Sequence, residues 1–299
     1  MLYLQLAGFP PKSTLLQAIP WGASAWTKTA KIVINLHDGT AQAYFLKISS
    51  ENVAPIMMEG EFNSIKTIHS LMPEFAPKPF GWGEYKSSPG TYFVLMEFLD
   101  IVVELPDPGT FCHLVSQLHK GKSPTNRFGF HVPTCHGKIP QPNTWDSSWS
   151  HYFTGLVKVF HKWDVETNGT WPEYELAFET LVSTVIPRLL EPLQADGRDI
   201  KPTLVHGDLW EENVGINTET GEPIIYDPAV FYAHHEYELG MWRREIIAFD
   251  QAYVKQYLLR NPPSEPAEQW DDRNRLYSIK FNISHSAHWE GMANITRPM

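Results

Sequence analysis

Leu204-Val205-His206-Gly207-Asp208-Leu209-Trp210-Glu211-Glu212-Asn213 and, fourteen residues beyond that asparagine, Ile224-Ile225-Tyr226-Asp227 decide how this chain is read. Reduced to its polar chemistry, the stretch is His-x-Asp-x-x-x-x-Asn followed by a second Asp at the end of a β-branched run. Phosphoryl transfer asks for this arrangement. Its transition state is loose, so the protein mostly positions groups and neutralises charge. One carboxylate must stand beside the attacking hydroxyl, and Asp208 takes that role. Two oxygen ligands must hold magnesium on the phosphates of ATP, and Asn213 and Asp227 supply them. Val205 before the motif and Pro223 to Tyr226 after it read as short buried strands that support a functional loop. His206 is expected to brace that loop through its ring nitrogens. A His-Gly-Asp tripeptide alone would fit an ordinary turn; Asn213 and Asp227 at the right spacing weigh against that reading.

The upstream half must then supply a cation for the phosphates and a carboxylate to hold it. Tyr44-Phe45-Leu46-Lys47-Ile48 places a lysine inside an apolar β-type run, although a lysine guarding an edge strand would look the same. From Met57 onward, Phe62, Ile65, Ile68 and Leu71 recur at helical spacing. Glu61 is the expected partner of Lys47, with Glu59 as its competitor. The phosphate-covering loop should lie in Trp21-Gly22-Ala23-Ser24-Ala25-Trp26. It has one glycine only, so Gly22 and Ser24 either let backbone amides approach phosphate or form a plain hairpin turn. Asp38-Gly39 between Lys31–Leu36 and Thr40–Ile48 signals a hairpin. Thr91 to Leu99 reads as a strand ending in a hinge, where Met96, Glu97 and Phe98 would hold adenine; a buried strand without ligand is the alternative.

With 299 residues and 42% hydrophobic content the chain can bury a large core. The expected fold is α+β, two-lobed and protein-kinase-like: a small β-rich nucleotide-binding lobe with one helix over 1–99, and a larger, mostly helical catalytic and substrate-binding lobe over 100–299. Helices are expected over Phe111–His119, Trp149–Trp163, Tyr174–Leu193 with a kink near Pro187, Glu245–Leu259 and Asp271–Trp289.

A net charge of −10 argues against nucleic acid as a partner. No run reaches the ~18 apolar residues of a membrane span, and Met1 to Lys31 lacks the order of a secretion signal, so a cytoplasmic protein without a membrane partner is expected. Cys112 and Cys135 cannot build a disulfide framework. The sequons at Asn168, Asn282 and Asn294 then read as chance matches. His285 and His288 beside Trp289 lack acidic or thiol neighbours and read as packing residues rather than metal ligands.

The catalytic run, continued by Asp227-Pro228-Ala229-Val230-Phe231-Tyr232-Ala233-His234-His235-Glu236-Tyr237-Glu238-Leu239, resembles the fructosamine-3-kinase and ketosamine-3-kinase family. Phe128-Gly129-Phe130 and Pro140-Gln141-Pro142-Asn143-Thr144-Trp145, with Trp149 and Phe153, agree. The resemblance runs from about Ala23 to the C-terminus, and Asp272 to Tyr277 is similar to fungal members. It implies ATP- and Mg2+-dependent phosphorylation of the 3-hydroxyl of a ketosamine, as a small molecule or on a glycated protein, followed by release of the amine. It also implies that Trp210 stacks on the sugar, with Asn143, Trp145 and Glu236 shaping the substrate pocket or bracing the catalytic loop. A monomer or weak homodimer is expected. Two departures stand out. The glycine-poor phosphate loop carries no cysteine, and Asp227-Pro228-Ala229 replaces Asp-Phe-Gly, which argues against an activation loop. An aminoglycoside- or choline-type kinase and a silent pseudokinase remain as alternative readings.

Overall fold

The structure, a computed structural model, describes residues 9–22 and 24–292; Ala23 of the phosphate loop and the Asn294 sequon lie outside the described residues. The chain forms two compact units. The first comprises Met1–Glu104, Val132–Pro140 and Val214–Ala229, and the second Leu105–His131, Gln141–Asn213 and Val230–Met299. The first unit thus runs on to Glu104 and takes up two further segments that a contiguous division into 1–99 and 100–299 would place in the other lobe.

The first unit is built on an antiparallel sheet of β1 (Thr14–Pro20), β2 (Lys28–Asn35), β3 (Ala41–Ser49), β4 (Pro79–Glu84) and β5 (Tyr92–Glu97), in the order β1-β2-β3-β5-β4. The Asp38-Gly39 turn forms as expected: Gly39 has φ +87°, and Thr40 N–H donates to Asp38 Oδ1 at 2.9 Å. Period-two alternation sorts β3 into two faces. Tyr44 and Leu46 join Ile32, Ile34, Phe93 and Leu95 in one cluster. Phe45 points the other way, where Met57 and Met58 of helix α1 (Ala54–Leu71) pack on Val94 and Met96. Lys47, two residues after Phe45, therefore points toward α1. The Val132–Pro140 segment lies against that helix so closely that a Cβ on Gly60 would fall 2.7 Å from Pro133 O. Strand Val214–Asn217 pairs with Pro223–Ile225 and with Ile101–Val102, and Ile225 N–H donates to Phe75 O at 2.9 Å.

The second unit is mainly helical: α2 (Pro108–Leu118), α3 (Trp149–Asn168), α4 (Pro172–Thr180), α5 (Ile186–Leu190), α6 (Leu239–Trp242), α7 (Gln251–Leu258) and α8 (Trp270–His288). Helices α3 and α8 meet through buried aromatics, where Trp149 Nε1 donates to Tyr277 Oη at 2.8 Å. The short strands Thr203–Val205 and Phe231–Ala233 pair antiparallel and frame the catalytic loop.

Two expected helices differ from those found. Tyr174–Leu193 is not one helix with a kink. It runs as α4, a π-helical turn over Leu181–Val185, α5, and a 3-10 turn over Glu191–Gln194. Pro187 has no N–H to continue the ladder, and the wider turn before it absorbs the missing bond. Glu245–Leu259 is helical only from Gln251, because Asp250 caps α7 by accepting from Ala252 N–H at 2.8 Å. Two sequon asparagines do structural work: Asn168 donates to Ser286 O at 2.7 Å, and Asn282 is 7% exposed. Among the described residues no helix is long and apolar enough to cross a membrane.

Candidate active site

Within the first unit, Lys47 Nζ lies 2.9 Å from Glu61 Oε2 and 2.8 Å from Asp227 Oδ1. Glu61 is thus the partner, and Glu59 is not. Lys47 and Glu61 are 5% and 8% exposed, whereas the Asp227 side chain is 43% exposed. Burial alone would lower the pKa of Lys47, but the charges of Asp227 and Glu61 outweigh it and hold the amine above its ordinary value. Glu61 moves upward as well. Its burial opposes charge more than its half share of one lysine favours it, and Asp227 adds repulsion. Asp227 adopts φ +55°, a left-handed conformation that Asp tolerates better than most residues. Its Oδ2 has no hydrogen-bond partner among the described residues.

The nucleotide-side candidates fall as follows. Gly22 has φ +76°, Ser24 Oγ accepts from Trp26 N–H at 3.4 Å, and Trp21 N–H donates to Thr29 O at 3.1 Å, so the described residues of the glycine-poor stretch lie in the connection between β1 and β2. Trp21 packs edge-on against Phe98 with ring centroids 5.0 Å apart, and Lys31 Nζ stands 3.9 Å over the Phe98 ring. Met96 is buried, and Glu97 pairs with Lys78 through both its N–H and its carboxylate.

Within the second unit, Asn213 Nδ2 donates to Asp208 O at 2.7 Å and to Asp208 Oδ2 at 3.2 Å. That second bond fixes the Asp208 carboxylate. It also turns Asn213 Oδ1 outward, without a hydrogen-bond partner among the described residues. His206 braces the loop as expected, accepting from Asp208 N–H at 3.3 Å through Nδ1. Trp210 is half-buried. Trp145 stacks on Tyr232 with centroids 6.0 Å apart, and Asn143 is half-buried.

Glu236 is placed differently from a substrate residue. It is fully buried, with Arg273 Nε and Nη2 at 2.8 and 2.9 Å and Ser264 N–H at 2.7 Å, so it anchors α8 and cannot meet a substrate. The residue that braces the catalytic loop is Glu238, which sequence reasoning passed over. Its carboxylate accepts from the N–H groups of His206 at 2.6 Å and Gly207 at 3.0 Å, at 0% exposure. Its signal was present as the second acid of Glu236-Tyr237-Glu238. His234, His235 and Glu236 converge like metal ligands. Their atoms are engaged by Tyr277, Tyr257, Ser264 and Arg273. Burial lowers the pKa of His234, and burial with the neighbouring His234 pushes that of His235 down to about 3. The cluster is a hydrogen-bonded core network.

A cation gripped by a helix carboxylate, an acid on a left-handed corner and an Asp-Asn loop are the parts of a phosphotransferase. The sequence model of the family described as fructosamine kinase matches residues 27–295. The chain belongs to the fructosamine kinase family. This kinase is 27% identical over 252 residues to a chloroplastic protein-ribulosamine 3-kinase of Oryza sativa subsp. indica, covering 82% of this chain and 67% of the relative. It is 29% identical over 272 residues to the ketosamine-3-kinase of Mus musculus, with 82% of each chain covered. A crystal structure described as a putative fructosamine-3-kinase from Haemophilus somnus 129PT superposes with a TM-score of 0.74 at 19% identity, covering 95% of this chain and 90% of the other. A ternary complex of aminoglycoside phosphotransferase APH(4)-Ia with AMP-PNP and hygromycin B superposes with a TM-score of 0.59 at 14% identity, covering 92% and 87%. The fold is therefore the two-lobed protein-kinase-like one, β-rich in its first unit and helical in its second.

Proposed function

We propose that this kinase transfers the γ-phosphoryl group of ATP to the 3-hydroxyl of a ketosamine, free or on a glycated protein. The observation that carries the catalytic reading is the double grip on Lys47 by Glu61 and Asp227. A pseudokinase has no need to hold a lysine against two carboxylates. The ketosamine comes from the family and from the names of the rice and mouse relatives.

Each residue then has a defined task. Lys47, kept charged by its partners, grips the ATP phosphates, with Gly22 and Ser24 in the loop above them and Met96, Glu97 and Phe98 beside adenine. Asp208 orients the sugar hydroxyl and takes its proton as the bond to phosphorus forms, while Asn213 Nδ2 holds that carboxylate in one rotamer. Trp210 offers its ring to the sugar, and Asn143 and Trp145 bound the acceptor pocket. Asp227 Oδ2 and Asn213 Oδ1 are hard oxygen donors left open, the chemistry that magnesium prefers. When bound, magnesium supplies charge neutralisation on the phosphates. Cys112 and Cys135, both thiols pushed up to about 12 by burial, suit a reducing compartment such as the cytoplasm. A monomer or weak homodimer suffices for this chemistry.

The test is phosphate transfer from Mg-ATP to a panel of fructosyl- and ribulosyl-amines, aminoglycosides and choline. ADP release that depends on a ketosamine is expected. Release with an aminoglycoside or choline alone would replace the proposal, and none with any acceptor would point to a pseudokinase.

A further inference from the structure

The stretch from Trp242 to Phe249 is tied to the loop that follows Asp208 at two points. Trp242 Nε1 donates to Leu209 O at 3.0 Å, and Ala248 N–H donates to Glu211 Oε2 at 3.1 Å. Arg244 lies between these anchors. Its Nε donates to Asn282 Oδ1 of α8 at 2.9 Å, and its Nη1 lies 3.7 Å from Met241 Sδ. Its Nη2 has no hydrogen-bond partner among the described residues. The guanidinium is half-buried, so its donors have lost part of their water without gaining full replacement.

Arg244 and Lys280 of this unit share an electrostatic field with Asp208. Lys280 is fully buried, with its Nζ 4.3 Å from the Phe160 ring centroid and 4.6 Å from that of Phe281. Arg244 keeps an open face. Glu211 acts on it too, but that carboxylate is occupied by Ala248. A positioned, partly desolvated guanidinium fork is the side chain best suited to an oxyanion.

We infer that Arg244 receives an oxyanion carried by the acceptor itself, so that ketosamines bearing a carboxylate on the amine part or a phosphate on the sugar are the preferred substrates. This rests on the ketosamine reading above and names a subclass within it. Neither the hydroxyl nor the secondary amine of a ketosamine calls for a guanidinium in the field of Asp208; an anionic substituent does.

The experiment compares two matched pairs under Mg-ATP: fructosyl-glycine against fructosyl-methylamine, and ribulosyl-methylamine 5-phosphate against ribulosyl-methylamine. In the wild-type protein one charged member should exceed its uncharged counterpart by about tenfold in kcat/KM, the scale of a charge-assisted hydrogen bond. The pair that shows the preference identifies carboxylate or phosphate as the source. Arg244→Gln should bring that ratio close to one, and Arg244→Lys, a point charge without the fork, should leave it between. Ratios near one in both pairs, or a preference that survives Arg244→Gln, would overturn the inference. Should thermal melting show that Arg244→Gln does not fold, an unchanged ratio in Arg244→Lys overturns it equally. No turnover of any of the four compounds would overturn the ketosamine reading and this inference with it. Turnover without a charge preference overturns this inference alone.

Discussion

Asp227 Oδ1 lies 2.8 Å from Lys47 Nζ, across 180 residues of sequence, and the same ammonium holds Glu61. One ammonium thus joins two carboxylates at the end of β3. Asp227 reaches it from a left-handed backbone conformation, which costs of order 1–3 kcal/mol and persists where the surroundings fix it. Glu61 is sealed on the inner face of α1, while Asp227 stays 43% exposed. Under the proposed function the two acids divide the work: Glu61 would position the lysine, and Asp227 would be the one to meet the metal.

Asp227→Asn should consequently weaken magnesium-dependent nucleotide binding more than Asp208→Asn does. Asp208→Ala should abolish turnover while the fold persists, since Asp208 is only half-buried. Nucleotide affinity measured across a magnesium titration separates the two acids. Equal losses would remove the division of roles.

Glu238 is a sharper test of how the catalytic loop is held. Its carboxylate serves two buried backbone N–H groups, those of His206 and Gly207. Each such donor left unpaired costs ~1–3 kcal/mol. Glu238→Ala should lose ~2–6 kcal/mol in urea denaturation and lower kcat through the displaced Asp208. Glu238→Gln, which keeps one acceptor oxygen, should fall between. Wild-type stability of the alanine variant would show that the loop is held elsewhere.

Much of this was legible because the responsible signals are local. The Asp38-Gly39 turn, the alternation around Lys47 and the step from Asp208 to Asn213 each prescribe a geometry over a few residues. Lys47 with Glu61 was legible too, since a strand followed by a helix brings them together. Other features depend on distant partners. Glu236 and Glu238 are equivalent as letters, and only Arg273 against one and the His206 and Gly207 amides against the other give them different roles. The loop before α7 kept helix-compatible residues but was claimed by Trp242 and Ala248 for the catalytic loop. Tertiary bonds overrode local propensity there.

Gly60 tests whether Glu61 is positioned from outside its own helix. A Cβ at that position would lie 2.7 Å from Pro133 O and 2.9 Å from Thr134 Cα, both backbone atoms that cannot turn away. Gly60→Ala must therefore separate α1 from the Val132–Pro140 segment, despite the better helix propensity of alanine. Overpacking of this kind costs ~1–3 kcal/mol. Lower thermal stability and a raised KM for ATP are expected, because Glu61 moves with its neighbour. A variant as stable and active as wild type would show that the segment yields freely.

Lys280 should give the protein an unusual dependence on pH. Burial opposes its charge and Arg244 repels it; Asp208 and Glu238 compensate only in part, and the pKa falls from 10.5 to about 7. Between those values the unfolded chain binds a proton at this site that the folded protein does not. Stability from this residue therefore rises with pH, by ~1.4 kcal/mol per unit. Below about 7 both states are protonated and the cost of the buried charge is constant and complete. Lys280→Met removes the titration, so the stability of wild type relative to this variant should climb between pH 7 and pH 10 and be flat below pH 7. Urea midpoints and slopes at pH 6, 8 and 9.5 measure it. A difference independent of pH across that span would mean that the ammonium stays charged inside its aromatic enclosure.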